Sequence, residues 1–125
     1  MPFVRSRGVD GEQWQDGTVT VPSVSVADLP ASAPMLDVRE ADEWAAGRAP
    51  SSRHVPMSQL TERISEIPAD DPLYVVCRSG GRSARVVAFL TQQGYPAVNV
   101  DGGMQAWAAT GREIVADPDR TPEII

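Results

Sequence analysis

The sequence has no lysine, one cysteine (Cys77) and one histidine (His54) among its 125 residues. Without lysine no internal Schiff base can form, which excludes an ordinary pyridoxal-phosphate enzyme and a class I aldolase. A structural zinc site made of cysteine and histidine needs four such ligands, and an intrachain disulfide needs two cysteines, so both are excluded. A serine triad would have to use His54.

Aromatic residues are also scarce, at 6% of the chain, and no apolar stretch is long enough to cross a membrane. This length fits one domain, and the 42% apolar content can build a core from mainly aliphatic side chains. The net charge of -6 argues against nonspecific binding to nucleic acid or to a membrane surface. We expect neither as a partner. The lone thiol and the lack of a signal-peptide pattern favour the cytoplasm.

Short apolar runs alternate with helical patterns along the middle of the chain. Helices are predicted at residues 41–46, 57–67, 83–93 and 104–110. Strands are predicted at residues 23–26, 35–38, 53–55, 73–77 and 97–100. This alternation predicts an α/β fold with a mainly parallel central sheet and helices on both faces. Sites in such folds lie beyond the carboxyl ends of the strands, and Cys77 stands at such an end.

The two ends of the chain differ from this middle part. Residues 1–22 are polar, without a clear period, and are predicted to form an N-terminal extension. Residues 116–125 contain two prolines among charges and are predicted to be a tail, either frayed or strapped to the surface. The folded domain is therefore predicted at residues 23–115.

The segment after the most apolar strand carries the chemistry. It reads Cys-Arg-Ser-Gly-Gly-Arg from Cys77 to Arg82 and runs into a helix predicted to start at Ser83. Adjacent glycines let successive N–H groups point inward, and the helix start adds free N–H groups, so the segment predicts an anion cradle with a sulfur at its base. A thiol beside arginines at a helix start can have its pKa lowered to ~3.5 to 7.5, so we expect Cys77 to be largely thiolate.

Two other interpretations of this segment exist. A buried structural thiol is common at the end of a core strand, but it does not require Gly-Gly or flanking arginines. An ordinary tight turn explains the glycines alone. Between Leu73 and Val100 there are three arginines and no acidic residue, a basic patch in an acidic protein. That patch favours a site for a small anion.

The loop from Cys77 to Ser83 resembles the active-site loop of the single-domain rhodaneses, the thiosulfate sulfurtransferase family. Three further stretches resemble the family's signatures, and the resemblance covers about residues 23–115. They are Leu36-Asp37-Val38-Arg39-Glu40 with Glu43-Trp44 and Gly47; Pro50 through His54-Val55-Pro56; and Gly102-Gly103-Met104 with Trp107 and Gly111.

The resemblance implies a rhodanese-like fold and a role for each loop residue. Cys77 is the expected catalytic nucleophile, and Asp37 and Arg39 are expected to support the loop by ion pairing. No metal and no cofactor is implied. The expected donor-binding and persulfide-stabilising residues are Arg78, Ser79, Gly80, Gly81, Arg82 and Ser83.

The activity that the resemblance implies is transfer of a sulfane sulfur through a Cys77 persulfide. The donor is thiosulfate or a related small anion, and the acceptor is cyanide or a thiol, necessarily external because there is no second cysteine. The alternative is a persulfide carrier or regulatory module without turnover, which accepts sulfur from a partner protein in a sulfur relay. A cysteine phosphatase is disfavoured because its loop needs an arginine where this chain has Ser83.

Some positions leave the interpretation open or depart from the family. Arg82 either faces the substrate or points back to Asp37 or Glu40. The chain has Arg48-Ala49 and Ser51-Ser52 where the family usually has His-Ile and Gly-Ala. These differences affect the expected shape of the loop that leads into the strand predicted at residues 53–55. His54 is predicted to be a packed, hydrogen-bonded structural residue.

Overall fold

The computed structural model describes residues 20–125, so nearly all of the predicted extension lies outside the described part. Three short 3₁₀ turns occupy Val26–Asp28, Met57–Gln59 and Ile64–Glu66. The helices are α1 (Ala41–Ala46), α2 (Gly81–Gln92) and α3 (Gly103–Ala109). The strands are β1 (Ser23–Ser25), β2 (Met35–Asp37), β3 (Ser52–His54), β4 (Leu73–Val76) and β5 (Ala97–Asp101). None of these helices is long enough to cross a bilayer.

The five strands form one parallel sheet in the order β1-β5-β4-β2-β3. The α/β class with a mainly parallel sheet is thereby confirmed. In the register, Val75 lies beside Leu36 on one side and Asn99 on the other. The carboxyl ends of β2, β4 and β5 therefore meet at one edge, with β4 in the centre.

The core is divided between the two faces of the sheet, as expected for helices on both sides. On one face, Leu73 and Val75 of β4 pack with Val86, Val87 and Leu90 of α2. On the other face, the next residue of the strand, Val76, packs with α3 and the first 3₁₀ turn; this cluster includes Met104, Trp107, Val100 and Val26. The strand alternates its side chains between the faces, so a nearly all-apolar strand serves both clusters.

The prediction of a helix at residues 57–67 is wrong. The segment forms two 3₁₀ turns, separated by residues 60–63, and Arg63, with φ of -109° and ψ of 25°, leaves the helical region. Arg63 is held there by bonds from its guanidinium to the His54 carbonyl and to Glu66. The apolar residues of the segment still pack on the core, because their three- and four-residue spacing also suits successive tight turns.

Helix α2 begins earlier than predicted. Its first residue is Gly81 and its N-cap is Gly80, with φ of +113° in the left-handed region. Glycine adopts that conformation without steric cost. Arg82 and Ser83 therefore belong to the first helical turn, which shortens the loop after Cys77.

A fully buried ion pair holds α1 at the carboxyl end of β2. Arg39 Nη2 lies 2.7 Å from Asp37 Oδ2, and both side chains are completely buried. The same guanidinium donates to the carbonyls of Glu43 and Gly47. The helix itself starts with a capping box between Glu40 and Glu43. Arg39 thus joins a strand end to the last turn of a short helix that is marginal on its own.

We expect Asp37→Ala to lower the free energy of unfolding by about 3 to 5 kcal/mol, because it leaves the buried Arg39 charge without its partner. Urea unfolding measures the change. Asp42→Ala, which removes an exposed carboxylate from α1, is the control and should cost less than about 1 kcal/mol. Equal losses in the two variants would contradict the importance of the buried pair.

The C-terminal tail is strapped to the surface along α1. Asp117 and Glu123 donate their backbone N–H groups to the carbonyls of Ala45 and Ala46, at 3.1 and 2.9 Å. Arg48 pairs with Val115 through two backbone hydrogen bonds and with the Asp117 carboxylate at 2.8 Å. Of the two interpretations that the sequence left open, frayed or strapped, the structure shows the second. Arg48, a departure from the family pattern, is the residue that anchors it.

Gly47→Ala should release the tail, because the added Cβ would overlap the carbonyl oxygen of Glu123. The backbone at Gly47 is extended, with φ of 178°, so alanine is otherwise tolerated there. Limited trypsin digestion with mass spectrometry should show faster cleavage after Arg120 than in the unchanged protein. Gly81→Ala, where nothing lies within 4 Å of the added Cβ, is the matched control. Unchanged cleavage in Gly47→Ala would contradict this close contact.

Candidate active site

Cys77 lies directly after β4, at the carboxyl edge of the sheet, and is 1% exposed. The backbone N–H of Gly80 donates to its Sγ at 3.1 Å. The Ser83 hydroxyl, in the first turn of α2, lies 3.3 Å from the same sulfur. The left-handed conformation of Gly80 curls the loop so that it surrounds the sulfur, as the adjacent glycines predicted.

The environment of the sulfur lowers the pKa of Cys77. Burial is the largest single influence and raises the pKa, but hydrogen bonds outweigh it together. They come from the Ser83 hydroxyl and from the backbone N–H groups of Ser83, Gly80 and Ser79. The sequence predicted the direction correctly and attributed it to the helix start and to the arginines beside it. The main cause of the lowering is the hydrogen-bond donors of the loop and of the helix start.

The start of α3 holds the loop from outside. The N–H groups of Met104 and Gln105 donate to the carbonyls of Cys77 and Arg78, at 2.8 and 2.9 Å. Gly103, with φ of +58°, is pressed against these carbonyls, and any Cβ there would overlap the Cys77 carbonyl oxygen. A glycine is therefore required at this contact, which explains the Gly103 of the Gly102-Gly103-Met104 motif.

The Arg82 side chain points to α1 and pairs with Glu43, a partner that the sequence did not predict. Its guanidinium makes two hydrogen bonds with the Glu43 carboxylate, at 2.7 and 2.8 Å, and does not pair with Asp37 or Glu40. This contact raises the pKa of Arg82 and lowers that of Glu43. Its guanidinium is occupied by a carboxylate in this structure, and the expected binding of the donor by Arg82 stays a prediction.

Arg78 is exposed at the rim of the loop. Its Nε donates to the main-chain oxygen of Ile125 at 3.0 Å, so the tail reaches the active-site loop. With the Gln105 amide in its better orientation, both Nη atoms donate to the side-chain oxygen at 3.1 Å. Arg78 is thus held at the rim by an oxygen of the tail and by the side chain of Gln105.

A cleft of about 540 Å³ opens beside the loop and is large enough for a small molecule. Ser79, Gly81 and Arg82 line one side of it, and Arg85 of α2 and Asp101 of β5 line others. Another cavity of about 450 Å³ lies near Pro50 and Trp107, among residues that precede β2 and β3 or follow α3, and no thiol lines it.

Asp37 and Arg39 lie behind the loop and are linked to it indirectly. Arg39 holds the backbone of Glu43, and the Glu43 carboxylate holds Arg82 in the first turn of α2. The structure thus brings the predicted pair together, and a bracing role for it stays a prediction. His54 stacks on Trp44 at 4.7 Å and donates from Nε2 to the Arg39 carbonyl at 2.7 Å, the kind of contact expected of a structural histidine.

Sequence reasoning missed Asn99 and the partnership of Glu43. Asn99 is 5% exposed in β5, and its Oδ1 lies 2.5 Å from the Ser83 hydroxyl oxygen. The available signal was a lone amide inside an apolar strand next to the chemistry. Glu43 belonged to a quoted motif, but its partner is 39 residues away and only the fold joins them.

A thiol held by amide and hydroxyl donors, at the carboxyl edge of a parallel α/β sheet, defines a cysteine nucleophile site. The particular family follows from comparison: residues 25–110 match the rhodanese-like domain, and the chain belongs to that family.

Known proteins similar to this chain agree with that membership. A protein of Allochromatium vinosum named sulfurtransferase is 45% identical over 83 residues, which cover 66% of this chain and 78% of that protein. A putative sulfur carrier protein of Bacillus subtilis is 31% identical over 104 residues, 78% of this chain and 56% of that protein. The crystal structure of a rhodanese-related protein from Thermoplasma volcanium superposes with a TM-score of 0.71 at 36% identity, covering 78% of this chain and all of that one.

The lowered pKa of Cys77 makes a pH prediction. Reactivity toward iodoacetamide should persist below the pH at which an ordinary thiol loses it, and should fall as the pH drops through the lowered pKa. Ser83→Ala removes a donor to the thiolate, so its profile should move to higher pH. Alkylation rates across a pH series measure both curves. Identical curves for the two proteins would contradict a role for this hydroxyl.

Proposed function

We propose that the protein is a sulfurtransferase that moves a sulfane sulfur from thiosulfate or a related small anion to an external acceptor. The observation that carries this proposal is the hydrogen-bonded setting of Cys77, with its pKa lowered at the base of a short amide-lined loop. Family membership and a relative named sulfurtransferase support this activity class.

In the first step the Cys77 thiolate attacks the outer sulfur of thiosulfate. A bond forms between Sγ and that sulfur, and the bond between the two thiosulfate sulfurs breaks with its electron pair leaving on sulfite. The product is a Cys77 persulfide that carries one negative charge on its terminal sulfur, so the total charge is unchanged. The leaving sulfite needs no proton, so this step requires no general acid.

The loop supplies fixed donors for this charge. The N–H groups of Ser79, Gly80 and Ser83 point at the sulfur and need little rearrangement as the negative charge moves outward by one atom. Arg78 at the rim and Arg85 beside the cleft supply positive charge that attracts an anionic donor, whereas Arg82 is paired with Glu43.

In the second step an acceptor attacks the terminal sulfur and regenerates the thiolate. Cyanide would leave as thiocyanate, and a thiol would leave as a new persulfide. The chain has no second cysteine, so the persulfide cannot be resolved within it. Thiols are abundant in a reducing compartment, and we place the protein in the cytoplasm on this ground.

A second candidate is a persulfide carrier that receives sulfur from a partner protein in a relay. The similarity to a putative sulfur carrier protein favours it. The tail contact at Arg78 favours it as well, because a rim arginine already holding a main-chain oxygen is less free for a small anion.

Incubation with thiosulfate followed by intact mass measurement and a thiocyanate assay tests the proposal. We expect a gain of one sulfur on the unchanged protein and cyanide-dependent thiocyanate release, and neither in Cys77→Ser. Ser58→Ala, which replaces the serine beside Glu40, is the control and should retain both.

A protein that gains no sulfur from thiosulfate but is persulfidated by a cysteine desulfurase with cysteine would be a carrier. A protein that gains sulfur from neither would overturn both candidates. Hydrolysis of an aryl phosphate that is lost in Cys77→Ser would also overturn them, in favour of a phosphatase.

A further inference from the structure

The Ser83 hydroxyl has one proton and three acceptors within reach. Its oxygen lies 3.3 Å from Cys77 Sγ, 3.3 Å from the Gly80 carbonyl and 2.5 Å from Asn99 Oδ1. The serine is completely buried, so water does not supply a further partner from outside. The proton can satisfy one of these acceptors well at any moment.

The Asn99 amide has a defined orientation. Its Nδ2 donates to the Gly80 carbonyl at 3.4 Å, which directs the amide oxygen to Ser83. β5 places this side chain beside the loop, because β5 is the neighbour of β4 in the sheet. The amide therefore contacts both the hydroxyl that serves the sulfur and the backbone that curls around it.

The distances define a competition. When the thiol is neutral, Asn99 Oδ1, 2.5 Å from the Ser83 hydroxyl oxygen, is the best acceptor for the hydrogen bond of that hydroxyl. With a thiolate, the charge makes the sulfur the stronger acceptor, since hydrogen bonds to ions are about twice as strong as neutral ones. A rotation about the Ser83 C–O bond moves the proton between the two, and no covalent bond changes.

We propose that Asn99 is a positioning residue. Its amide oxygen accepts the hydrogen bond of the Ser83 hydroxyl whenever Cys77 Sγ is uncharged, and the hydroxyl turns to the sulfur when the thiolate forms. The idea deepens the proposed function and rests on it, since a persulfide also has an uncharged Sγ with its charge on the terminal sulfur. Asn99 then keeps a buried hydroxyl satisfied in the loaded state, where an unpaired hydroxyl would be costly.

The charged groups near the site are paired with one another or, like Arg85 of α2, exposed. Arg82 of α2 is paired with Glu43 of α1, and Asp37 of β2 is paired with Arg39. Asp101, at the end of β5, is exposed. Asn99 is uncharged and can act on the thiol through the Ser83 hydroxyl or through the Gly80 backbone, and only the first route is lost when Ser83 is replaced by alanine.

The test is a thiolate titration by ultraviolet absorbance in Asn99→Ala and Asn99→Asp, with Cys77→Ser subtracted as background. Asn99→Ala removes the competing acceptor, so the pKa of Cys77 should fall and the thiolate-to-thiol ratio at a fixed pH should rise about two- to tenfold. Asn99→Asp keeps the shape but holds the proton more strongly and adds negative charge, so the pKa should rise.

A double-mutant comparison separates positioning from general support. In a Ser83→Ala background, Asn99→Ala should no longer move the pKa of Cys77. A rise in the pKa with Asn99→Ala, or an equal shift with and without Ser83, would overturn the inference. Circular dichroism and urea unfolding verify the fold of each variant, and the nearly isosteric Asn99→Asp gives a signed result if Asn99→Ala is unstable.

A second readout addresses the loaded state. In a mixture of thiosulfate and sulfite, the equilibrium fraction of persulfide by intact mass should be lower in Asn99→Ala than in the unchanged protein. An unchanged fraction would overturn the inference while leaving the proposed function intact. Absence of persulfide in the unchanged protein itself would instead overturn thiosulfate as the donor, and a desulfurase-loaded sample would then supply the comparison of persulfide fractions.

Discussion

The shape of the loop around Cys77 depends on a backbone contact made from outside it. Two N–H groups at the start of α3 donate hydrogen bonds to the carbonyls of Cys77 and Arg78. This close approach requires the glycine at position 103. With these carbonyls turned outward, the loop amides are free to face the sulfur. The contact exists because β4 and β5 are adjacent and parallel, so the segments that follow them leave the sheet at the same edge.

The charged side chains near the site mostly build the scaffold. Asp37 and Arg39 join β2 to α1, and Glu43 joins α1 to Arg82 at the start of α2. Short-range donors are left to act on the sulfur itself. This division has a physical advantage, since fixed amide dipoles stabilise a sulfur anion without the burial cost of another free charge.

The tail adds a feature that the family match at residues 25–110 does not include. Arg48 anchors it through Asp117 and a backbone pair, and its cation lies 4.8 Å from the Trp44 ring centroid. From there the chain runs across α1 to the rim arginine of the loop. Arg48, which differs from the residue usual in this family, thus anchors a tail that reaches the mouth of the site.

The sequence by itself determined the α/β class, the bounds of α1 and the position of Cys77 at the base of a glycine-rich loop, because apolar periodicity, helix caps and adjacent glycines are encoded within a few neighbouring residues. It did not determine the fate of residues 57–67, where one apolar spacing suits both a helix and successive turns. Only the tertiary structure decided that Arg82 faces Glu43 and that Asn99 faces Ser83. These partners are 39 and 16 residues apart, and the order and register of parallel strands, which no local pattern contains, bring them together.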